Sequence, residues 1–248
     1  MNKELHEVNS YQDILFPFEM YKVNRQNCEP CGRGFQDLHW HEELQFTLVT
    51  KGTITMQVNG TDYLLHSAEA LFINKGALHI TTEMTEDGEY VSFNFPEKLL
   101  SFFDESRMDY QYVKPYTNAF SIKAYLIREN IEWEKEILIR LYQLKSLFED
   151  NRNFGWEYDV SVHAVCIWQV MIKHIEIEND FENKKLCNYQ ERTQLMLTFI
   201  HKNYTSDISL KDIADSANIS VAECGRCFRN MLHITPYDYL IKYRINKG

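Results

Sequence analysis

The sequence has 248 residues, 44% of them apolar and 14% aromatic, which suits two modest packed domains and excludes a disordered chain. Its formal charge is −10 at pH 7, unevenly spread. From Gln190 onward eight Lys/Arg face six Asp/Glu, net +2, whereas the preceding residues carry eighteen against thirty, net −12. An acidic body with a mildly basic tail is the balance expected of a nucleic-acid reader joined to a separate domain.

The N-terminus, MNKELHEVNSYQDILF, has neither the basic start nor the apolar run of a secretory signal. No stretch approaches the roughly 18 apolar residues of a membrane span, so a cytoplasmic protein without a membrane partner is expected. Cys28, Cys31, Cys166, Cys187, Cys224 and Cys227 are not spaced as a secreted disulfide framework, which agrees with a reducing compartment.

From Phe16 to Phe95 the chain alternates as short antiparallel strands: FPFEMYKV, EELQFTLVT, TITMQV, TDYLLH, ALFIN, HITTEM and EYVSFNF. Asn59-Gly60 between two of these runs is a strong hairpin signal. Strands this dense predict a small sandwich or barrel. His39-Trp40-His41-Glu42-Glu43-Leu44-Gln45, preceded by Gly34 and followed by Gly52, resembles the first cupin motif, and Ile73-Asn74-Lys75-Gly76 with His79 resembles the second.

His39 and His41 sit two apart, so on a strand they face one side, and His79 from a neighbouring strand could complete a metal-binding set. Cupins that bind metal generally supply a carboxylate where this chain has Gln45, a poor ligand. His39, His41, Gln45 and His79 are therefore read as effector-binding residues, with no metal or other cofactor expected. Phe46, Leu48, Met56, Phe72 and Phe93 either line a pocket or form core, and strand parity alone leaves both open. No paired carboxylates and no nucleophile with an adjacent base stand near the pocket, so no catalytic residue is assigned and no enzyme is expected.

From Ser121 the period becomes helical. Ile131, Ile137, Leu138, Leu141, Leu144, Leu147 and Phe148 form one stripe, and Ala164, Ile167, Trp168, Met171 and Ile175 another, with Asp150 to Gly155 as the loop. Glu176 to Glu191 loses the apolar period and reads as a linker. Met196, Phe199 and Ile200 then begin a further apolar face.

Ser209 to Lys247 reads as a helix-turn-helix. Leu210, Ile213, Ala214 and Ala217 mark one short helix, Ile219 the turn, and Cys224, Cys227 and Phe228 the second. Asn218 suits a left-handed turn position. Ser209/Asp212, Ser220/Glu223 and Thr235/Asp238 are three capping boxes, and Pro236 fits a first helical turn. The motifs SLKDIA, ISVAECGRCFR and TPYDYLIKYRI resemble the first helix-turn-helix of the AraC/XylS family of transcription regulators.

That resemblance implies an α+β protein: a cupin-like antiparallel β-barrel that senses an effector (residues 1–120), a helical hairpin that either pairs two chains or packs on its own barrel (121–178), a linker (179–191) and a partial DNA-binding region (192–248, motif 209–232). It implies as partners double-stranded DNA, a small, sugar-like effector and a second copy of the chain. In the recognition helix Arg226 is the expected base contact, Ala222 a methyl contact, Glu223 a cap or cytosine contact, and Arg229, Lys211 and Lys242 phosphate anchors. The cysteine pairs Cys28/Cys31 and Cys224/Cys227 mimic a split zinc site, but the second pair reads as helix core and the first receives no role.

The family carries two helix-turn-helix units joined by a long helix, and here the sequence ends at Gly248 within that joining helix. A fragment of a longer protein, or a shortened form, is expected. The competing expectations are a metal-dependent cupin enzyme and a truncated regulator that dimerises without binding DNA.

Overall fold

The alternating runs become two antiparallel sheets. In the computed structural model, which describes residues 5–7, 9, 11–150, 152–177 and 181–247, side chains excepted at 181–187 and 246–247, one sheet has six strands. In spatial order these are β2 (Cys28–Glu29), β1 (Glu19–Asn24), β8 (Glu89–Phe95), β3 (Leu44–Lys51), β6 (Ala70–Ile73) and β9 (Ala124–Ile127). The other has β5 (Thr61–His66), β4 (Thr53–Val58) and β7 (His79–Met84). Asn59 and Gly60 turn β4 into β5 with φ of +46° and +83°, the positive pair that a type I′ hairpin requires.

Period two then decides which core each residue joins. Val49, Leu71, Ile73 and Tyr90 point between the sheets, where Ile54, Met56, Val58 and Leu65 meet them. Their neighbours Phe46, Leu48, Phe72 and Phe93 point outward onto helices and so belong to core. Those helices are α3 (Glu132–Glu149) and α4 (Trp156–Ile172), whose Ile137, Leu138, Leu141, Ala164, Ile167 and Trp168 are buried in the same cluster. Ile131 is not part of the α3 stripe: it is the extended residue before the helix and is 42% exposed.

Three features depart from the sequence-based expectation. Strand β9 lies inside the stretch expected to be helical, because it completes the edge of the larger sheet beside β6. Between β8 and β9 run two short helices, α1 (Lys98–Ser101) and α2 (Lys114–Thr117), with a π-helical turn at Asp109–Val113. The expected linker at 179–191 is helical from Phe181, since α5 spans Phe181–Asn203. Its buried stripe includes Tyr189, Gln190 and Thr193 ahead of Met196, Leu197 and Ile200, and polar residues on that stripe hid the period.

The C-terminal helices are α6 (Leu210–Asp215), α7 (Val221–Leu232) and α8 (Pro236–Lys247). Ser209 forms a complete capping box with Asp212, worth about 1 kcal/mol. Asn218 is left-handed at φ +54°, as its turn position predicts. Ile213, Ala214, Cys224, Cys227 and Phe228 are buried together, whereas Leu210 is 38% exposed and outside that core, because the first helical turn faces solvent.

Candidate functional site

His39 and His41 flank Trp40 just before β3, and His79 opens β7. Backbone bonds in both directions join His39 and His79, from His39 N–H to the His79 carbonyl at 3.1 Å and back at 2.9 Å. The paired backbones bring the rings together, with centroids 4.2 Å apart and planes tilted by 59° for His39 and His79, and 5.0 Å apart and edge-on at 81° for His41 and His79. One ring nitrogen from each of the three lies within 4.8 Å of the others, and all three residues are buried.

Each ring is oriented by its backbone. His39 Nδ1 donates to the Asp37 carbonyl (2.7 Å) and His79 Nδ1 to the Ala77 carbonyl (2.8 Å). A carbonyl only accepts, so in both rings Nε2 carries the lone pair. His41 lies with Nδ1 3.1 Å from the Glu43 carbonyl and Nε2 2.9 Å from Gln45 Oε1, and a neutral ring can donate to only one of them. Desolvation lowers the pKa of all three, to about 3 for His79 and well below the usual histidine range for His39, where the neighbouring imidazoles add to it. The rings are therefore neutral near pH 7.

Gln45 is held by Thr47 (2.8 Å) and Ser92 (3.4 Å) on the same face of the large sheet. Glu7, from the N-terminal arm, reaches the cluster with Oε2 3.5 Å from His39 Nε2. Glu7, Arg33, His39, Gln45, His79, Thr81, Tyr90, Ser92 and Asn94 are among the residues that line a cavity of about 20 Å³, with His41 behind them. That is room for about one water-sized occupant. A second, larger cavity of about 550 Å³ lies outside the sheets, lined by Leu100, Met108, Tyr112, Tyr116, Trp168 and Lys173 among others.

On α7 the face away from the core presents Ala222, Arg226 and Arg229 to solvent, and Lys211 and Lys242 are exposed on α6 and α8. Ser220 accepts from the Glu223 N–H (3.2 Å), but the Glu223 carboxylate does not close the capping box. It takes Arg226 Nε at 2.7 Å and Arg192 at 3.4 Å instead, because two guanidinium groups outbid one backbone amide. Cys224 and Cys227 are buried in the helix core, and burial pushes both thiols up to about 11. Cys28 opens β2 at the edge of the larger sheet and Cys31 follows it, and neither pair belongs to a group of three or more metal-ligating side chains among the described residues.

The two sites are physically joined. The Gly76 N–H donates to the His41 carbonyl at 2.7 Å, and the Gly76 carbonyl accepts from Gln190 and, at 2.8 Å, from Gln194 on α5. Asn59 also donates to Gln190 (3.1 Å), and His233, at the end of α7, bonds the Gly60 carbonyl. Leu5, Leu38, Trp40 and Leu78 pack into the same apolar cluster as Met196, Leu197, Ile200 and Phe228. Sequence reasoning did not single out Glu7, Gln190 or Gln194. Only Gly76 carried a signal, as part of the second motif.

A sheet sandwich docked on a helix-turn-helix is the architecture of the class of transcription regulators to which the comparisons assign this chain. The model of the AraC-like ligand binding domain matches residues 30–107. The uncharacterized HTH-type transcriptional regulator YdeC of Bacillus subtilis (strain 168) is 30% identical over 252 residues, covering 100% of this chain and 82% of its own length. The chain belongs to the AraC family of transcriptional regulators and is not an enzyme. Among solved structures, the AraC-like transcriptional activator CuxR overlaps with a TM-score of 0.40 at 12% identity, over 83% of this chain and 67% of its own. Unsaturated fatty acid bound ToxT from Vibrio cholerae strain SCE256 overlaps with a TM-score of 0.39 at 11% identity, over 90% and 94%.

Proposed function

We propose that this regulator binds double-stranded operator DNA through α7 and that occupancy of the histidine cavity changes how the DNA-binding helices are held against the sensor. Arg226 reads a base edge, Ala222 lies against a thymine methyl, and Arg229, Lys211 and Lys242 hold phosphates. Glu223 restrains Arg226 until DNA competes for it. His39, His41, Gln45 and His79 form the sensing site, and the reading places the protein in the cytoplasm.

The observation that carries this reading is Gly76, whose N–H donates to the His41 carbonyl and whose own carbonyl accepts from Gln190 and Gln194. A change in the cavity therefore reaches α5 through one residue, by the two peptide groups that flank the Gly76 Cα. Such a joint lets an effector shift a two-state equilibrium by its differential affinity. A homodimer through α3 and α4 belongs to the same proposal, supported by Ile139, Tyr142, Tyr158 and Val162, which the hairpin leaves exposed. A sugar does not fit the cavity of about 20 Å³ as it stands. An organic effector has a better-sized seat in the cavity of about 550 Å³ beside α4, within the range of small-molecule pockets.

The test is binding to random genomic fragments at two salt concentrations. Selective, salt-sensitive capture is expected, with altered affinity for the selected fragments in a Gln190→Ala/Gln194→Ala variant. Absence of selective capture by the wild type overturns the reading.

A further inference from the structure

We infer that His39, His41 and His79, completed by the Glu7 carboxylate, bind one divalent first-row transition-metal ion of the zinc class. This rests on reading the histidine cavity as the sensing site, and it names the chemical class of the occupant. It departs from the sequence-based expectation of no metal, which turned on Gln45 standing where a carboxylate was sought.

Four observations converge. His39 and His79 each donate Nδ1–H to a backbone carbonyl, the arrangement by which metal-binding imidazoles are usually oriented, with Nε2 left as the donor atom. His79 Nε2 is buried without a hydrogen-bond partner among the described residues, and its lone pair is aimed into the cavity. The Glu7 carboxylate stands with Oε2 3.5 Å from His39 Nε2 and Oε1 3.8 Å from Arg33 Nε, so one oxygen faces the cavity while the other is held by the guanidinium. The cavity of about 20 Å³ is of ionic size.

Three imidazoles and one carboxylate suit zinc and its neighbours rather than calcium or magnesium, which prefer all-oxygen shells. Gln45 Oε1, 2.9 Å from His41 Nε2, is placed to add a neutral oxygen. Binding requires the three nitrogens to draw in from within 4.8 Å of one another to about 3.3 Å, the edge of a tetrahedron with metal–nitrogen bonds near 2.05 Å. Trp40 lies between two of the ligands and Leu78 precedes the third. Both pack on the DNA-binding helices, so the contraction pulls on the docking surface.

The test titrates Zn²⁺ into protein freed of metal with a chelator, and Co²⁺ in parallel for its absorption spectrum. One equivalent should bind, with visible Co²⁺ bands free of thiolate charge transfer. Affinity should fall about 100-fold or more in His79→Ala and at least 10-fold in Glu7→Gln, and should be unchanged in Cys28→Ser/Cys31→Ser. Glu7→Gln keeps the side chain's shape, so the test survives if His79→Ala does not fold. No saturable binding of either metal, an intense thiolate band, or undiminished affinity in Glu7→Gln overturns the inference. Fragment capture with and without Zn²⁺ separates the two readings. Stoichiometric metal without any effect on capture supports the metal site and removes its sensing role, whereas selective capture by a protein that binds no metal removes the metal site alone.

Discussion

Gly225 stands in the middle of α7, where glycine costs about 1 kcal/mol relative to alanine. A Cβ added there meets only Arg229 Nη2, at 3.7 Å, which is ordinary contact. Gly225→Ala should therefore raise stability by about 0.5 to 1 kcal/mol in urea unfolding. Loss of DNA capture alongside that gain would show that the helix needs its bare backbone close to DNA. Arg226→Ala should cost roughly 1 to 3 kcal/mol on the selected fragments and relax preference at one base pair, whereas Arg229→Ala should weaken specific and random DNA alike. Equal losses for both substitutions on both DNAs would remove the assignment. Ser220 was legible as a cap from Ser-x-x-Glu spacing, but the same spacing gave Glu223 a capping role that its carboxylate does not take. The pairing of Glu223 with Arg192 was not legible, because those residues lie 31 apart and meet only when α5 packs on α7.

At the scale of elements, the β4–β5 hairpin and α7 are fitted to each other. A Cβ on Gly60 would lie 2.8 Å from the Asn230 carbonyl oxygen, and the residue holds φ +83°. Gly60→Ala should cost about 2 kcal/mol or more, from the positive φ together with displacement of rigid backbone, and should lower the melting temperature. If stability is unchanged, the hairpin does not press on α7. The helix core makes a second prediction. With thiols pushed from 9.0 up to about 11, Cys224 and Cys227 hold about 100-fold less thiolate near pH 8, and they are buried as well. Exposed Cys31 should be alkylated first, with Cys224 and Cys227 protected until denaturant is added, as mass mapping of labelled sites would show. Early labelling of Cys227 would contradict the packing of α6 on α7.

For the molecule as a whole, one apolar cluster holds Leu78 together with buried residues of α5 and α7, so sensor and DNA-binding helices are expected to unfold together. Leu78→Ala should cost about 2 to 5 kcal/mol and split a single unfolding transition into two, as calorimetry would register. One undivided transition at unchanged temperature would mean that the docking is energetically idle.

Much of this was readable from residue order alone. Period two located seven strands, Asn59-Gly60 located the hairpin, and capping boxes with the Ile213 to Phe228 spacing located the helix-turn-helix, because each of these is decided among residues close in the chain. The three histidines were also legible as a set. The tertiary structure alone decided which strand face is core, that Gln190 and Thr193 are buried on a helix, and that the Glu7 carboxylate reaches the histidine cluster. Those outcomes depend on segments distant in sequence meeting in space, and a one-dimensional pattern carries no term for what arrives from the far side of a cavity.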